Sequence, residues 1–148
     1  MLKAKDIMTR EVITVEEKTT LEEFAHILIE HQISGAPVVD RDENLKGIVT
    51  ENDLINRNTK LHIPTILRLF DAFIPLGNSR LEEEIKKMAA SHVYDIMTKK
   101  VITINEETSL EDIATTMMEN KIHLLPVIQE EKLVGIVGKK DLIKSISK

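Results

Sequence analysis

The sequence predicts an α+β fold of two pseudo-symmetric repeats, each with the element order βαββα. The first observation is a duplicated stretch: Gly47–Ile55 (GIVTENDLI) returns as Gly135–Ile143 (GIVGKKDLI). Residues 6–55 align on 95–143 with one deletion and about half of the positions identical. The second observation is that short β-branched runs alternate, in both copies, with one longer stretch of helical periodicity. Two copies of one such unit usually pack about a pseudo-two-fold axis, which predicts one module.

The first half of each repeat predicts a strand followed by a helix. Residues 12–15 (VITV) are short and β-branched, as a strand requires. Thr19 and Thr20 then precede a stripe with spacing i, i+3, i+4, i+7 and i+8, which is Leu21, Phe24, Ala25, Leu28 and Ile29. The equivalent stripe of the second copy ends on Met117 and Met118. We expect this methionine pair to pack in the core.

The second half of each repeat predicts a hairpin and a short helix. The hairpin strands are expected over 36–39 and 47–50, and the helix opens at Asp53. Residues 57–94 have no counterpart in the duplication. Their apolar spacing and a Ser-x-x-Glu capping box predict a two-helix insert. The expected domains are therefore repeat 1 over 1–56, a helical insert over 57–94 and repeat 2 over 95–148.

Composition excludes several classes of protein. The chain has 20 basic and 25 acidic residues, a net charge of −5, which argues against a nucleic-acid partner. It has no cysteine, so thiolate metal sites and cysteine nucleophiles are excluded. No apolar run is long enough for a membrane span, and the N-terminus lacks the apolar stretch of a signal peptide. We expect a cytoplasmic protein without a membrane partner.

The turn between the second hairpin strand and the last helix is the candidate site. In the first copy it reads Thr50-Glu51-Asn52-Asp53. A hydroxyl and free backbone N–H groups at a helix start can bind phosphate, and a carboxylate can accept two hydrogen bonds from a ribose diol. Alternatively, Thr50 only caps the helix and Asp53 only favours its first turn. The residues alone leave these two readings open.

The doubled pattern resembles a pair of cystathionine-β-synthase (CBS) domains, the arrangement called a Bateman module. The resemblance is carried by Asp6–Thr9, 12–14, 35–40 and 47–54, together with their second copies. It covers nearly all of the chain outside the insert. The resemblance implies a regulatory module without catalytic cofactor that binds an adenosine ligand (AMP, ADP, ATP or S-adenosylmethionine) in the clefts between the repeats.

Individual residues match the family pattern. The resemblance implies that Asp53 and Asp141 bind ribose and that Thr50 lies beside the phosphate. It also implies an adenine-pocket wall formed by Thr14, Ile33, Ser34, Gly35, Ala36 and Pro37, with Thr103 as the second copy of Thr14. Gly138 replaces the threonine in the second copy, and Lys139 and Lys140 follow it as alternative sources of positive charge.

The segment before the second hairpin carries a finer resemblance. Asn120–Pro126 is similar to the matching segment of the γ subunit of AMP-activated protein kinase. This similarity implies that His123 contacts phosphates, with Ile122, Leu124 and Pro126 around it. The equivalent of His123 in the first copy is Ser34. We therefore expect cations only at the Asp141 cleft, which should prefer the more highly phosphorylated ligand and weaken with salt.

The alternatives to ligand sensing are an interaction module and an enzyme. A dimerisation or interaction module with degenerate, empty clefts is favoured by the missing hydroxyl at Gly138, but for that site only. An enzyme is not supported, because no nucleophile–base pair and no metal-ligand spacing is found. The apolar, aromatic insert favours a homodimer. We expect the module to transmit its ligand state to a regulated partner that the sequence does not identify.

Overall fold

The computed structural model describes residues 2–56 and 91–147, except for the side chain of Asn56. The predicted two-helix insert therefore lies, up to residue 90, outside the described residues. Within them the elements are α1 (Ala4–Ile7), α2 (Leu21–His31), β1 (Gly35–Val39), β2 (Leu45–Thr50), α3 (Glu51–Asn56), α4 (Val93–Ile96), α5 (Leu110–Asn120), β3 (Leu124–Gln129), β4 (Lys132–Gly138) and α6 (Lys139–Ile146). The same order occurs twice, which confirms the α+β class and the duplication.

Each repeat contains one antiparallel hairpin. β1 pairs with β2, and β3 pairs with β4, with one irregularity at an equivalent position in each ladder. The strand predicted over residues 12–15 is wrong in its length: only Val15 pairs, in a parallel bridge to Val38. Thr9 is already paired with Ile136 of the other repeat, so the chain between Thr9 and Val15 spans the two hairpins.

The two long helices begin and end at defined signals. The hydroxyl of Thr20 accepts a hydrogen bond from the backbone of Glu23, whose carboxylate accepts one from the backbone of Thr20, both at 3.1 Å. This capping box confirms the predicted start of α2. The C-cap residues, Gln32 after α2 and Lys121 after α5, have φ of 52° and 54°. The left-handed residue reverses the chain towards the hairpin and so fixes the loop that follows.

The predicted core stripe is correct except at its last position. Leu21, Phe24 and Leu28 are buried, but Ile29 is 51% exposed. Likewise Met117 is buried, whereas Met118 is 80% exposed, so the expectation that both methionines pack in the core is wrong. The i+8 position lies about 80° around the helix from position i, at the edge of the buried arc. Apolar spacing alone therefore overestimated the width of the buried face.

The repeats exchange their N-terminal segments. α4, which begins repeat 2, places Val93 and Ile96 in the core of repeat 1. Ala4 and Met8, which begin repeat 1, lie in the core of repeat 2. Each repeat therefore buries apolar side chains that belong to the other. Because hydrophobic burial is the main stabilising term in folding, the two repeats are expected to fold as one unit.

Two glycines permit this exchange. A Cβ atom at Gly47 would lie 2.8 Å from the carbonyl oxygen of Thr98 and 2.9 Å from the sulfur of Met97. A Cβ atom at Gly135 would lie 2.6 Å from the sulfur of Met8. Both separations are shorter than ordinary van der Waals contact. The glycine that opens each duplicated stretch is thus required by the close approach of the other repeat.

An ion-pair cluster holds the N-terminal segment on repeat 2. The ammonium groups of Lys3 and Lys5 donate to the carboxylate of Glu107, that of Lys5 at 2.9 Å. These hydrogen bonds hold the pKa of the Glu107 carboxyl at about 2, below its ordinary value of 4.5. All three side chains are largely exposed, so the cluster contributes little to stability.

Candidate functional site

The exchange of N-terminal segments creates two clefts between the repeats. In the first, the turn that carries Asp53 faces residues of repeat 2 between 98 and 102 and between 121 and 124, around a cavity of about 280 Å³. In the second, the turn that carries Asp141 faces residues of repeat 1 between 9 and 13 and between 32 and 35, around a cavity of about 680 Å³. We call them the Asp53 cleft and the Asp141 cleft.

The side chain of Asp53 is held by hydrogen bonds to Thr50, at the start of α3. Its Oδ2 accepts hydrogen bonds from the backbone N–H of Thr50 at 2.8 Å and from the Thr50 hydroxyl at 3.2 Å. The same hydroxyl accepts from the backbone N–H of Asp53 at 3.3 Å. Oδ1 of Asp53 accepts no hydrogen bond from the described residues. The helix-cap reading is therefore correct for one carboxylate oxygen, and the other has no hydrogen-bond partner among the described residues.

Asp141 repeats this arrangement without a hydroxyl. Its Oδ2 accepts from the backbone N–H of Gly138 at 2.7 Å, and Gly138 has an extended φ of −108°. Within residues 2–56 and 91–147, Oδ1 of Asp141 again accepts no hydrogen bond. Both aspartates are half-buried. Each cleft is thus bordered by an aspartate at the N-terminus of a helix, and one oxygen of that carboxylate is hydrogen-bonded to the backbone.

Apolar side chains from the other repeat border each cleft. In the Asp53 cleft these are Val101, Ile102 and Ile122. In the Asp141 cleft they are Val12, Ile13 and Ile33 at the equivalent positions. A flat apolar ring would find contacts against these side chains, and a diol could reach the aspartate. The predictions named Ile33 and Ile122 but missed the other four, since they read 12–15 as a strand and chose only Thr14 from it as a site residue.

The expectation that cations occur only at the Asp141 cleft is wrong. Lys100, Lys121 and His123 all line the Asp53 cleft. The prediction assigned the turn of Asp141 and the loop of His123, both from repeat 2, to the same cleft. In the structure the loop that carries His123 also faces the turn of Asp53, which belongs to repeat 1. As a result His123 borders both clefts.

The Asp141 cleft has its own set of charges. Lys139 and Lys140 line it as expected, together with Lys144 from the next turn of α6. Three lysines there stand against the carboxylates Glu11, Glu51 and Asp141. In the Asp53 cleft two lysines stand against Glu51 and Asp53. The formal charges of the lysines and carboxylates therefore balance in both clefts.

Several predicted site residues lie away from these clefts. Ala36, Pro37 and Pro126 are buried in the hairpins and border neither cavity, although the neighbouring Ser34, Gly35 and Leu124 do. Thr14 and Thr103 line separate shallow depressions elsewhere on the surface. In their place the structure brings Thr9 to the Asp141 cleft and Thr98 to the Asp53 cleft. These two hydroxyls, which end the repeated Asp-Ile-Met-Thr stretch, were not predicted as site residues.

The described part of the chain contains neither a metal-ligand cluster nor a membrane-spanning helix. No cluster of three histidine, aspartate or glutamate side chains there could hold a metal ion. No helix among residues 2–56 and 91–147 is both long and apolar enough to cross a bilayer.

Comparison with known proteins places this geometry in a family. The model of the CBS domain matches residues 4–59 and 93–148. The uncharacterized protein MJ1426 of Methanocaldococcus jannaschii is 33% identical over 153 residues, covering 96% of this chain and 89% of its own length. The match to chloroplastic CBSX1 of Arabidopsis thaliana is 29% identical over 140 residues, covering 88% of this chain but only 57% of that protein.

A solved structure supports the same assignment. CBSX2 of Arabidopsis thaliana in complex with AMP superposes with a TM-score of 0.75 at 25% identity, covering 99% of this chain and 97% of that one. Each matched segment contains one copy of the duplicated unit. The chain therefore belongs to the CBS domain family, and its repeats form a tandem CBS pair with the fold of a Bateman module.

Proposed function

We propose that this chain is a regulatory module that senses an adenosine-containing ligand in the clefts between its repeats. The observation that carries the proposal is the pair of half-buried aspartates, Asp53 and Asp141. Each uses one carboxylate oxygen to close its own helix turn and leaves the other without a partner in the described structure. The adenine would lie on the apolar side chains of the opposite repeat, and the ribose hydroxyls would donate to the free oxygen.

The ligand class is supported by two features. AMP is present in the complex of CBSX2, and the CBS pair of protein MJ0100 was solved with 5′-methylthioadenosine and S-adenosylmethionine. In this chain, lysines and His123 stand beside both aspartates and could face a phosphate. The ligand is therefore proposed to be AMP, ADP, ATP or S-adenosylmethionine.

The two clefts are proposed to differ in the ligand they prefer. The Asp141 cleft is larger, about 680 against 280 Å³, and carries three lysines rather than two. It would accommodate a longer phosphate chain. The Thr50 hydroxyl does not make up for the smaller volume and the missing lysine of the Asp53 cleft, because it already donates to and accepts from Asp53 within its own turn. The Asp53 cleft would take the smaller or less charged ligand.

A homodimer is proposed as the form that communicates with a regulated protein. Ile29 and Met118 occupy equivalent positions in the two repeats, as do Ile55 and Ile143, and all four are exposed. A two-fold partner would present the same four side chains, as self-complementary interfaces do. Sedimentation should give twice the chain mass of 16.8 kDa, and Met118→Glu with Ile143→Glu should give a monomer. A monomeric wild type at micromolar concentration would remove the dimer from the proposal.

A thermal-shift panel tests the ligand class. AMP, ADP, ATP and S-adenosylmethionine are added to the full chain at saturating concentration, with GTP and inorganic phosphate as controls. A ligand present at 100 times its Kd stabilises the folded state by about 2.7 kcal/mol, which is readily measured. The proposal predicts a shift with at least one adenosine compound and none with phosphate. Equal shifts with GTP, or no shift at all, would leave the empty interaction module as the better account.

A further inference from the structure

The two clefts are separated by a wall that they share. Ser34, Glu51, His123 and Leu124 border both cavities. Ser34 and His123 are equivalent residues, each immediately before the first hairpin strand of its repeat. Equivalent residues that border both clefts lie at the pseudo-two-fold axis of the module. The wall is therefore where the two sites meet.

The wall is packed against both repeats. Cδ1 of Leu124 lies 2.8 Å from the position that a Cβ of Gly35 would occupy, and Cδ2 lies 3.4 Å from that of Gly138. Leu124 thus fills the space between the hairpin of repeat 1 and the helix start of repeat 2. A movement of the loop that carries Leu124 would therefore alter its packing against both repeats.

Each ligand-facing turn is hydrogen-bonded to this wall. The backbone N–H of Glu51 donates to the carbonyl of Ser34 at 2.8 Å, and that of Lys139 donates to the carbonyl of His123 at 3.1 Å. Glu51 lies two residues before Asp53, and Lys139 lies two residues before Asp141. A shift of either turn on binding a ligand is therefore passed directly to a residue that the other cleft also uses.

The charges of the wall are shared as well. Without Glu51, the Asp53 cleft has two lysines and one carboxylate, and the Asp141 cleft has three lysines and two carboxylates. Both clefts therefore depend on the same Glu51 for their balance, and both are bordered by the same imidazole of His123. One imidazole N–H can donate to only one phosphate group at a time. Anionic groups on its two sides also repel each other within a Debye length of about 8–10 Å.

We propose that the two clefts are negatively coupled for phosphorylated ligands, with His123 as the phosphate-facing group for which they compete. This inference rests on the adenosine-binding function proposed above. The first phosphorylated ligand takes the imidazole and moves the shared wall. The second then binds to a cleft that has lost a hydrogen-bond donor and gained a neighbouring negative charge. A ligand without phosphate, such as S-adenosylmethionine, escapes the electrostatic part of this coupling.

Calorimetric titration of AMP into the full chain measures the coupling. Asp53→Asn and Asp141→Asn each leave one working cleft and give the two single-cleft association constants. In the wild type at low salt, the product of the two stepwise constants should fall at least fivefold below the product of the single-cleft constants. We call this reduction in the product of the constants the shortfall. For AMP at 0.5 M salt the shortfall should be less than twofold. The same is expected when S-adenosylmethionine replaces AMP.

His123 is tested against a histidine outside both clefts. His123→Ala should weaken AMP binding in each cleft and reduce the shortfall to less than twofold. His31→Ala, at the exposed end of α2, should leave both constants and the shortfall unchanged. Equal products in wild type and single-cleft variants would overturn the coupling while ligand sensing stands. A shortfall unchanged in His123→Ala would overturn the role of His123. Absence of binding by AMP, ADP and ATP would overturn this inference, and absence of S-adenosylmethionine binding as well would overturn the proposed function.

Discussion

The carboxylate of Asp53 accepts a hydrogen bond from the backbone N–H of Thr50 at 2.8 Å, so one of its oxygens caps the start of α3. Asp95 makes the equivalent bond to the backbone of His92 at 2.9 Å but borders neither cleft. Variants of the two aspartates can therefore separate the effect of capping from that of the proposed ligand contact.

The first prediction uses this pair. Asp53→Ala should lower the stability of the fold by about 1 kcal/mol through the lost cap. It should also weaken adenosine-ligand binding at the Asp53 cleft at least tenfold, because a hydrogen bond to a charged group is worth about 1.5–3 kcal/mol. Asp95→Ala should lose similar stability with unchanged affinity. Chemical denaturation and calorimetry measure the two effects; equal affinity in both variants would reduce Asp53 to a cap.

The second prediction concerns the missing hydroxyl at Gly138. A Cβ atom there would lie 3.4 Å from Leu124 and 3.7 Å from Asp141, which is ordinary contact. Gly138→Thr should therefore be accommodated and should stabilise the fold by a few tenths of a kcal/mol, because threonine caps a helix better than glycine. Ligand affinity at the Asp141 cleft should change less than twofold, since the equivalent hydroxyl of Thr50 serves its own turn. A large gain in affinity would show that this hydroxyl contacts the ligand.

The third prediction concerns the exchange of N-terminal segments. A Cβ at Gly47 would lie 2.8 Å from the backbone carbonyl oxygen of Thr98, whereas a Cβ at Gly135 would lie 3.2 Å from the equivalent oxygen of Thr9 and make its shortest contact, 2.6 Å, with the flexible Met8 side chain. Gly47→Ala should therefore cost about 1–3 kcal/mol of unfolding free energy, as overpacking generally does. Gly135→Ala should cost less, because Met8 can adopt another rotamer. Urea denaturation of both variants decides the order; a neutral Gly47→Ala would contradict the described contact between the repeats.

How far the sequence could predict this structure is clearest at that contact. The duplication, the hairpins and the start of α2 after Thr20 follow from local patterns and were correctly predicted. The exchange was not, for a physical reason. Asp6–Thr9 and Asp95–Thr98 are identical in sequence, so Met8 could equally pack on Gly47 of its own repeat or on Gly135 of the other. Only the path of residues 9–15, from the Thr9 bridge on repeat 2 to the Val15 bridge on repeat 1, decides this.

The incorrect prediction that cations occur only at the Asp141 cleft has the same cause, since the sequence does not show against which repeat each N-terminal segment packs. Asp53 and Asp141 were predicted from their turns, and both do border clefts. Their opposite walls come from the other repeat, so Ile122 borders the Asp53 cleft and His123 borders both clefts. Residues such as Lys100 and Ile102 carried no signal in the sequence, because nothing local shows that they lie in a crossing between two hairpins.

The fourth prediction concerns pH. The pKa of Glu107 lies at about 2 in the folded protein because Lys3 and Lys5 donate hydrogen bonds to it, and its ordinary value is 4.5. A carboxyl whose pKa is lower in the folded state stabilises the fold above its unfolded pKa, and this contribution is lost as the pH falls from about 4.5 towards 2. Glu107→Gln should therefore melt slightly below the wild type at pH 7 and at the same temperature near pH 2. The difference at pH 7 should shrink in high salt, since the groups are exposed. A difference that persists near pH 2 would mean that Glu107 acts through packing and not through its charge.

The central claim is that the free carboxylate oxygens of Asp53 and Asp141 bind the ribose of an adenosine ligand. The most direct measurement is calorimetric titration of AMP into the wild type and into the double variant Asp53→Asn, Asp141→Asn, with Asp6→Asn, Asp95→Asn as the matched control. The account predicts that the wild type and the control bind AMP and that the double variant loses at least tenfold in affinity at both clefts while remaining folded. Undiminished binding in the folded double variant, or no binding in the wild type, would contradict it.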